Sequence, residues 1–173
     1  AGTVIRGEQE SSPGANDPGT LVITRGSKIY ANGTAEKPII FTDLLDDNIG
    51  ANPGTPPYNN LATALSLTGR WGGPILLGRT YVANNTAGGP NAAREVQIEG
   101  LTASGGLGLY GNGGNDDDDS GQFSYVSIRY NGFNLSANNE INGITLGGVG
   151  RSTTLDYLEV FSTKDDFMEN FGG

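Results

Sequence analysis

A chain of 173 residues is long enough for one domain with a continuous core and too short for two ordinary globular domains joined by a linker. Ten basic residues against 19 acidic ones give a net charge of −9, which repels nucleic-acid phosphates and anionic lipid, so nucleic acid is not an expected partner. The lack of any Cys or His removes disulfides, thiolate metal sites, cysteine nucleophiles and the commonest general base.

The 29 glycines, the abundant Asn and the absence of a long helix-favouring run predict many turns and an all-β chain. Short strand candidates follow in order: Thr3 to Arg6, Leu21 to Thr24, Lys28 to Tyr30, Ile39 to Thr42, Ile75 to Leu77 and Val96 to Ile98. Corners such as Arg25-Gly26-Ser27 and Asn32-Gly33-Thr34 separate them and supply the positive φ angles of tight turns. Three clearer strands come after Gln122. Phe123 to Ile128 aligns with Leu155 to Val160 at an offset of 32 residues, with Gly143 to Leu146 between them. Val126 and Ile128, like Leu158 and Val160, would point inward while Ser127 and Glu159 point out.

That rhythm predicts a β-solenoid as one unit over 1–173, a stack of coils that buries its apolar pairs in columns. A β-sandwich is the alternative, since it also uses short strands and Gly-rich turns. Asp43 to Thr68, Ala83 to Arg94 and Leu101 to Gly121, rich in Gly, Asn, Asp and Pro, read as long projecting loops, where ligand contacts would belong. No apolar run reaches membrane-spanning length, so no membrane span is expected, and Ala1 opens without a signal pattern. The chain therefore reads as mature, trimmed, or an excerpt of a longer solenoid.

The run Arg25 to Thr34, closing with Lys37-Pro38-Ile39-Ile40-Phe41-Thr42, resembles the early coils of secreted bacterial right-handed β-helix proteins, many without assigned function. Further blocks follow in the same order. They are Trp71 to Gly78, Ile98-Glu99-Gly100, Asp119-Ser120-Gly121 with Tyr125 to Tyr130, Glu140 to Gly150, and Asp165 to Gly173. The resemblance implies the fold and an extracellular or cell-surface setting, and it says little about activity. The first expected function is a structural or adhesive β-helix, whose partners are further copies joined head to tail by strand addition into a fibre. A polysaccharide-active lyase or hydrolase is one rival, and a non-catalytic carbohydrate-binding module is another.

For the enzyme, the candidate carboxylates are Asp165, Asp166 and Glu169, with Arg129 on a neighbouring coil. Adjacent Asp residues in a strand point to opposite faces, so a structural role outweighs catalysis there. Asp116, Asp117, Asp118 and Asp119, followed by Ser120-Gly121, offer the hard oxygen ligands that calcium requires, without the spacing of a calcium-binding hand. A solvated run of like charge is the blander reading. Asp43, Asp46 and Asp47 form a second acidic group that Leu44 and Leu45 interrupt, which suggests packing.

For carbohydrate contact, Trp71, Tyr110 and Tyr130 are the candidate stacking rings, provided they share an exposed groove. A lone Trp71 beside Ile75-Leu76-Leu77 is more often a core residue. Sequons stand at Asn32, Asn84 and Asn134, about as many as chance gives, and the last two lie among turn-forming residues.

Overall fold

The computed structural model describes residues 1–44, 46, 67–82, 94–101, 104–137 and 139–173. Thirteen short strands occur among them, separated by the Gly, Asn and Asp turns that the sequence marks. The first coil contributes β1 (Val4–Gly7) and β2 (Thr20–Ile23), and the second β3 (Ile29–Asn32), β4 (Ile39–Asp43) and β5 (Gly73–Leu77). An excursion through β6 (Glu95–Gln97) and β7 (Leu109–Gly111) precedes the third coil, built of β8 (Gly121–Arg129) and β11 (Ile144–Gly147). Between those two lies a small hairpin of β9 (Asn134–Ser136) and β10 (Asn139–Glu140). The fourth coil holds β12 (Thr154–Phe161) and β13 (Met168–Phe171).

The coils stack in parallel. One sheet runs β1-β4-β8-β12, with β3 also laid on β8, and a second runs β2-β5-β11-β13. Every pairing within these two sheets is parallel, which is the architecture of a parallel β-helix and not of a β-sandwich, whose sheets are antiparallel. Phe123 pairs with Leu155 and Ile128 with Val160, so the 32-residue offset read from the sequence is the length of one coil.

The core lies between the two sheets. Phe41, Phe123, Val126, Ile128, Leu76, Ile144 and Trp71 are all buried there, and Leu158 and Val160 pack against them. Each fully buried side chain of this size stabilises by about 1.5–3 kcal/mol relative to exposure. Asn131 ties backbone together inside the stack. Asn131, fully buried, donates through Nδ2 to the carbonyls of Asn142 (3.1 Å) and Gly143 (2.7 Å), and its own carbonyl accepts from the N–H groups of Gly69 and Lys164.

A second apolar cluster lies outside the stack. The β2-β5-β11-β13 sheet turns Ile75 and Leu77 outward, yet both are fully buried, because the antiparallel pair β6–β7 and its neighbours cover them with Val96, Ile98, Tyr110 and Ile141. This sheet is thus covered on both faces, which a single solenoid wall would not be. Gly147 permits the close approach, since a Cβ there would stand 2.9 Å from the Tyr110 ring. Arg25 ties the layer to the second coil's entry through an ion pair with Glu95 (2.6 Å) and a hydrogen bond to the Gly111 carbonyl. Among the described residues no helix is long and apolar enough to cross a membrane.

Candidate functional site

The stacking rings expected from the sequence are in the interior. Trp71, Tyr110 and Tyr130 are 2%, 5% and 3% exposed, so none offers a face to a sugar ring. Trp71 reaches across the core and donates its indole N–H to the Arg129 carbonyl at 2.7 Å. Tyr110 belongs to the outer apolar layer, and Tyr130 meets Phe161 edge to face. Among the described residues the exposed tyrosines are Tyr30, Tyr81 and Tyr157, which the sequence does not separate from the buried ones.

The four-Asp run is a corner that joins three coils. Asp119 bonds Lys28 of the second coil through Oδ2 (2.5 Å) and accepts the Gly121 N–H through Oδ1 (2.8 Å). Asp118 is buried and accepts the N–H of Arg79, just past β5, at 3.0 Å. Asp117 pairs with Arg151 at the entry to the fourth coil (2.6 Å), and the Asp116 carbonyl accepts the Arg151 N–H. These carboxylates diverge toward protein donors and do not fit one calcium ion, whose six to eight oxygens must converge. Among the described residues no three acidic side chains converge as a metal site.

Asp43 and Asp46 are likewise buried and engaged, the first by Arg70 (3.2 Å) and the second by the Thr42 hydroxyl (2.7 Å). Asp47 and the Asn84 sequon lie outside the described residues. Asn32 is exposed on β3, whereas the Asn134 amide donates to Glu140 at 2.9 Å.

Of the expected catalytic set, only Glu169 meets other carboxylates in a sheltered place. Asp165 and Asp166 are exposed in the turn before β13 and not in a strand, so the alternation argument does not apply to them. Arg129 belongs to the other sheet, where its guanidinium reaches the Ser127 hydroxyl (2.8 Å) and Glu159 (4.0 Å).

Glu169 stands in the outward column Val22, Ile75, Thr145, Glu169. The Glu99 carboxyl comes within hydrogen-bonding range of it from the turn after β6, and Glu140 and Asp165 also act on Glu99. Burial first, then the hydrogen bond to Glu169 and the charges around it, pushes the Glu99 carboxyl up to about 7. Asn142 donates to Glu169, and the Gly100 N–H donates to the Asn139 side chain at 2.9 Å, which fixes the Glu99 turn on the β9–β10 hairpin. Thr145, one coil below Glu169, is 2% exposed and its hydroxyl has no partner.

A carboxyl held up in this way keeps its proton through the mildly acidic range. The sequence marks Glu169 as a candidate, whereas Glu99 and Glu140 stand out only as members of the family-like blocks. The pair forms by folding of the outer layer, which no local pattern announces.

A family model described as a pectate-lyase-like β-helix domain matches residues 60–173. No curated protein and no solved structure gives a significant match. The matched span covers more than half of the chain and contains the third and fourth coils together with the acidic pair, and the chain belongs to the pectate-lyase-like β-helix domain family.

Proposed function

We propose that this β-helix is a structural or adhesive rod of an extracellular protein, assembled head to tail with further copies. The observation that supports the reading most is the use of polar and aromatic side chains to bridge coil to coil. Lys28–Asp119 links the second coil to the third, while Arg151–Asp117 and Ser127–Glu159 (2.5 Å) link the third to the fourth. Phe41 stacks on Phe123 at 5.7 Å and Tyr125 on Tyr157 at 4.2 Å across the same two junctions. Such bridges resist sliding and bending of the stack, which is what a rod requires. The extracellular setting rests on the likeness to secreted β-helix proteins.

The sheet order leaves β1 and β2 outermost on one side and β12 and β13 on the other. Val4 and Ile5 are 39% and 37% exposed there. Further coils or another copy's strands would complete these ladders. Electron microscopy and sedimentation of the native protein test assembly: filaments that disappear on deleting residues 1–7 are expected, and uniform monomers would overturn it.

An acid–base role in polysaccharide cleavage is the second reading, favoured by the raised Glu99 carboxyl. New reducing ends or unsaturated products that vanish in both Glu99→Gln and Glu169→Gln would support it over the rod.

A further inference from the structure

We propose that Tyr125 and Tyr157 form an oxidative cross-linking site, at which one-electron oxidation driven by a peroxide joins the two rings through carbon and ties the third coil covalently to the fourth. The backbone sets the pair up. Ser124 stands opposite Asp156 and Val126 opposite Leu158, so the register fixes the residue between them on each coil, and φ of +50° at both tyrosines sends both side chains off the strand in the same direction. The rings lie with centroids 4.2 Å apart and planes 6° from parallel. The second coil adds no third ring, because between Asn32, opposite Ser124, and Ile39, opposite Val126, it runs through Gly33 to Pro38.

An oxidant can reach this pair from solvent. Tyr157 is 67% exposed and Tyr125 is half-buried. Few side chains compete for it: the chain has no Cys, its one Trp71 is buried, and its one methionine, Met168, is half-buried.

Each phenol gives up one electron and its hydroxyl proton, which leaves unpaired spin on the ring carbons beside the oxygen. The orbitals that carry this spin stand perpendicular to the ring, so in stacked rings they face each other and a carbon–carbon bond forms between the two faces. The hydrogens on the joined carbons then leave as protons while each oxygen regains one, which restores two phenols. Hydrogen peroxide, acting through a peroxidase, takes up the two electrons and two protons and becomes two waters, so the chain loses two hydrogen atoms in all. Because the rings already stand in contact, no diffusional encounter is needed. The two residues are 32 positions apart, so the bond closes one full coil in a chain that has no cysteine for a disulfide, and it needs no second copy.

Treating the dilute full chain with a peroxidase and hydrogen peroxide tests this. The expected product is a monomer lighter by two hydrogen atoms, with dityrosine fluorescence and a peptide map that links the segment holding Tyr125 to the one holding Tyr157. Its yield should not depend on protein concentration and should fall when the chain is first unfolded in urea. Tyr157→Phe keeps a stacking ring and removes the phenol, so the fold should persist while the link disappears, and Tyr125→Phe makes the same test from the other coil. Tyr30→Phe, which changes an exposed ring on β3, should leave the link unchanged. A native monomer that gains no link, a link mapped to other tyrosines, equal yield from the unfolded chain, or a folded Tyr157→Phe variant that still gives the intramolecular product would overturn the proposal.

Discussion

Tyr157 lies flat on Tyr125, one coil apart, with ring centroids 4.2 Å apart and planes 6° from parallel, and both residues hold φ at +50°. Left-handed backbone costs a bulky L-residue about 1–2 kcal/mol, so two tyrosines in register there must be held by what they touch. They break β8 and β12 in the middle, between inward Phe123 and Val126 and between Leu155 and Leu158, where the second coil instead uses the separate strands β3 and β4.

Replacing Tyr125 separates the two effects. Tyr125→Ala keeps the unfavourable backbone and loses the stack, and a destabilisation of about 1–2 kcal/mol is expected in urea unfolding. Tyr125→Gly loses the stack but relieves the backbone, so it is expected to be about as stable as the Ala variant or better, despite glycine's unfolded-state entropy. An Ala variant clearly more stable than the Gly variant would contradict the backbone argument.

Gly121 opens β8 at φ +103°, and a Cβ there would stand inside contact distance of the Ile29 carbonyl of the second coil. The third coil cannot seat on the second without moving backbone. Gly121→Ala is expected to destabilise by more than about 3 kcal/mol or to abolish folding, measured by chemical denaturation. Gly14, also at positive φ but with open space around it, is the control: Gly14→Ala should cost only about 1 kcal/mol.

The stack was legible because its signal is local. Val126 and Ile128 alternate with Ser127 and recur at Leu158 and Val160, so period and register both stand in the sequence. The outer layer was not legible. Leu109 to Gly111 reads as part of a Gly-rich loop, yet it forms β7 because Tyr110 finds an apolar surface on Gly147 and Leu77, a long-range partner that no local pattern marks. The acidic pair was missed for the same reason, since Glu99 and Glu169 are 70 positions apart and meet only once that layer has folded. Tyr30 points out of β3 at 66% exposure, whereas Tyr130, in the turn after β8 with φ at +60°, is folded in against Phe161 at 3%, a difference that composition cannot supply.

The Asp corner sets how stability depends on pH in acid. Lys28 first and then the Gly121 N–H hold the Asp119 carboxyl below its ordinary value, and Arg151 does so for Asp117. A depressed folded value means that the contribution is present above about 3.8 and is lost as the pH falls below it. Thermal melts should therefore decline below pH 3.8, less steeply in Asp119→Asn, and the difference should shrink in high salt because both pairs are solvent-exposed. Since these carboxylates are engaged by protein donors, millimolar calcium is expected to leave the melting temperature unchanged; a rise that chelator reverses would show that the corner rearranges around the ion.

Trp71 gives the clearest test of whether an aromatic residue here serves packing or ligand contact. It is the chain's one tryptophan, 2% exposed, with its indole N–H on the Arg129 carbonyl and its ring against Gly7, where a Cβ would come within 2.5 Å. Trp71→Phe keeps most of the apolar volume and removes the donor, so a loss of about 1–2 kcal/mol is expected, while Trp71→Ala also opens a cavity and should cost about 3–5 kcal/mol. The same residue reports on itself. Native fluorescence should be blue-shifted and poorly quenched by acrylamide, and should not change when a soluble polysaccharide is added. Unfolding should then shift the emission to the red. A native emission that polysaccharide shifts or protects from quencher, with the Ala variant as stable as wild type, would mean that the indole faces solvent and would restore Trp71 as a sugar platform.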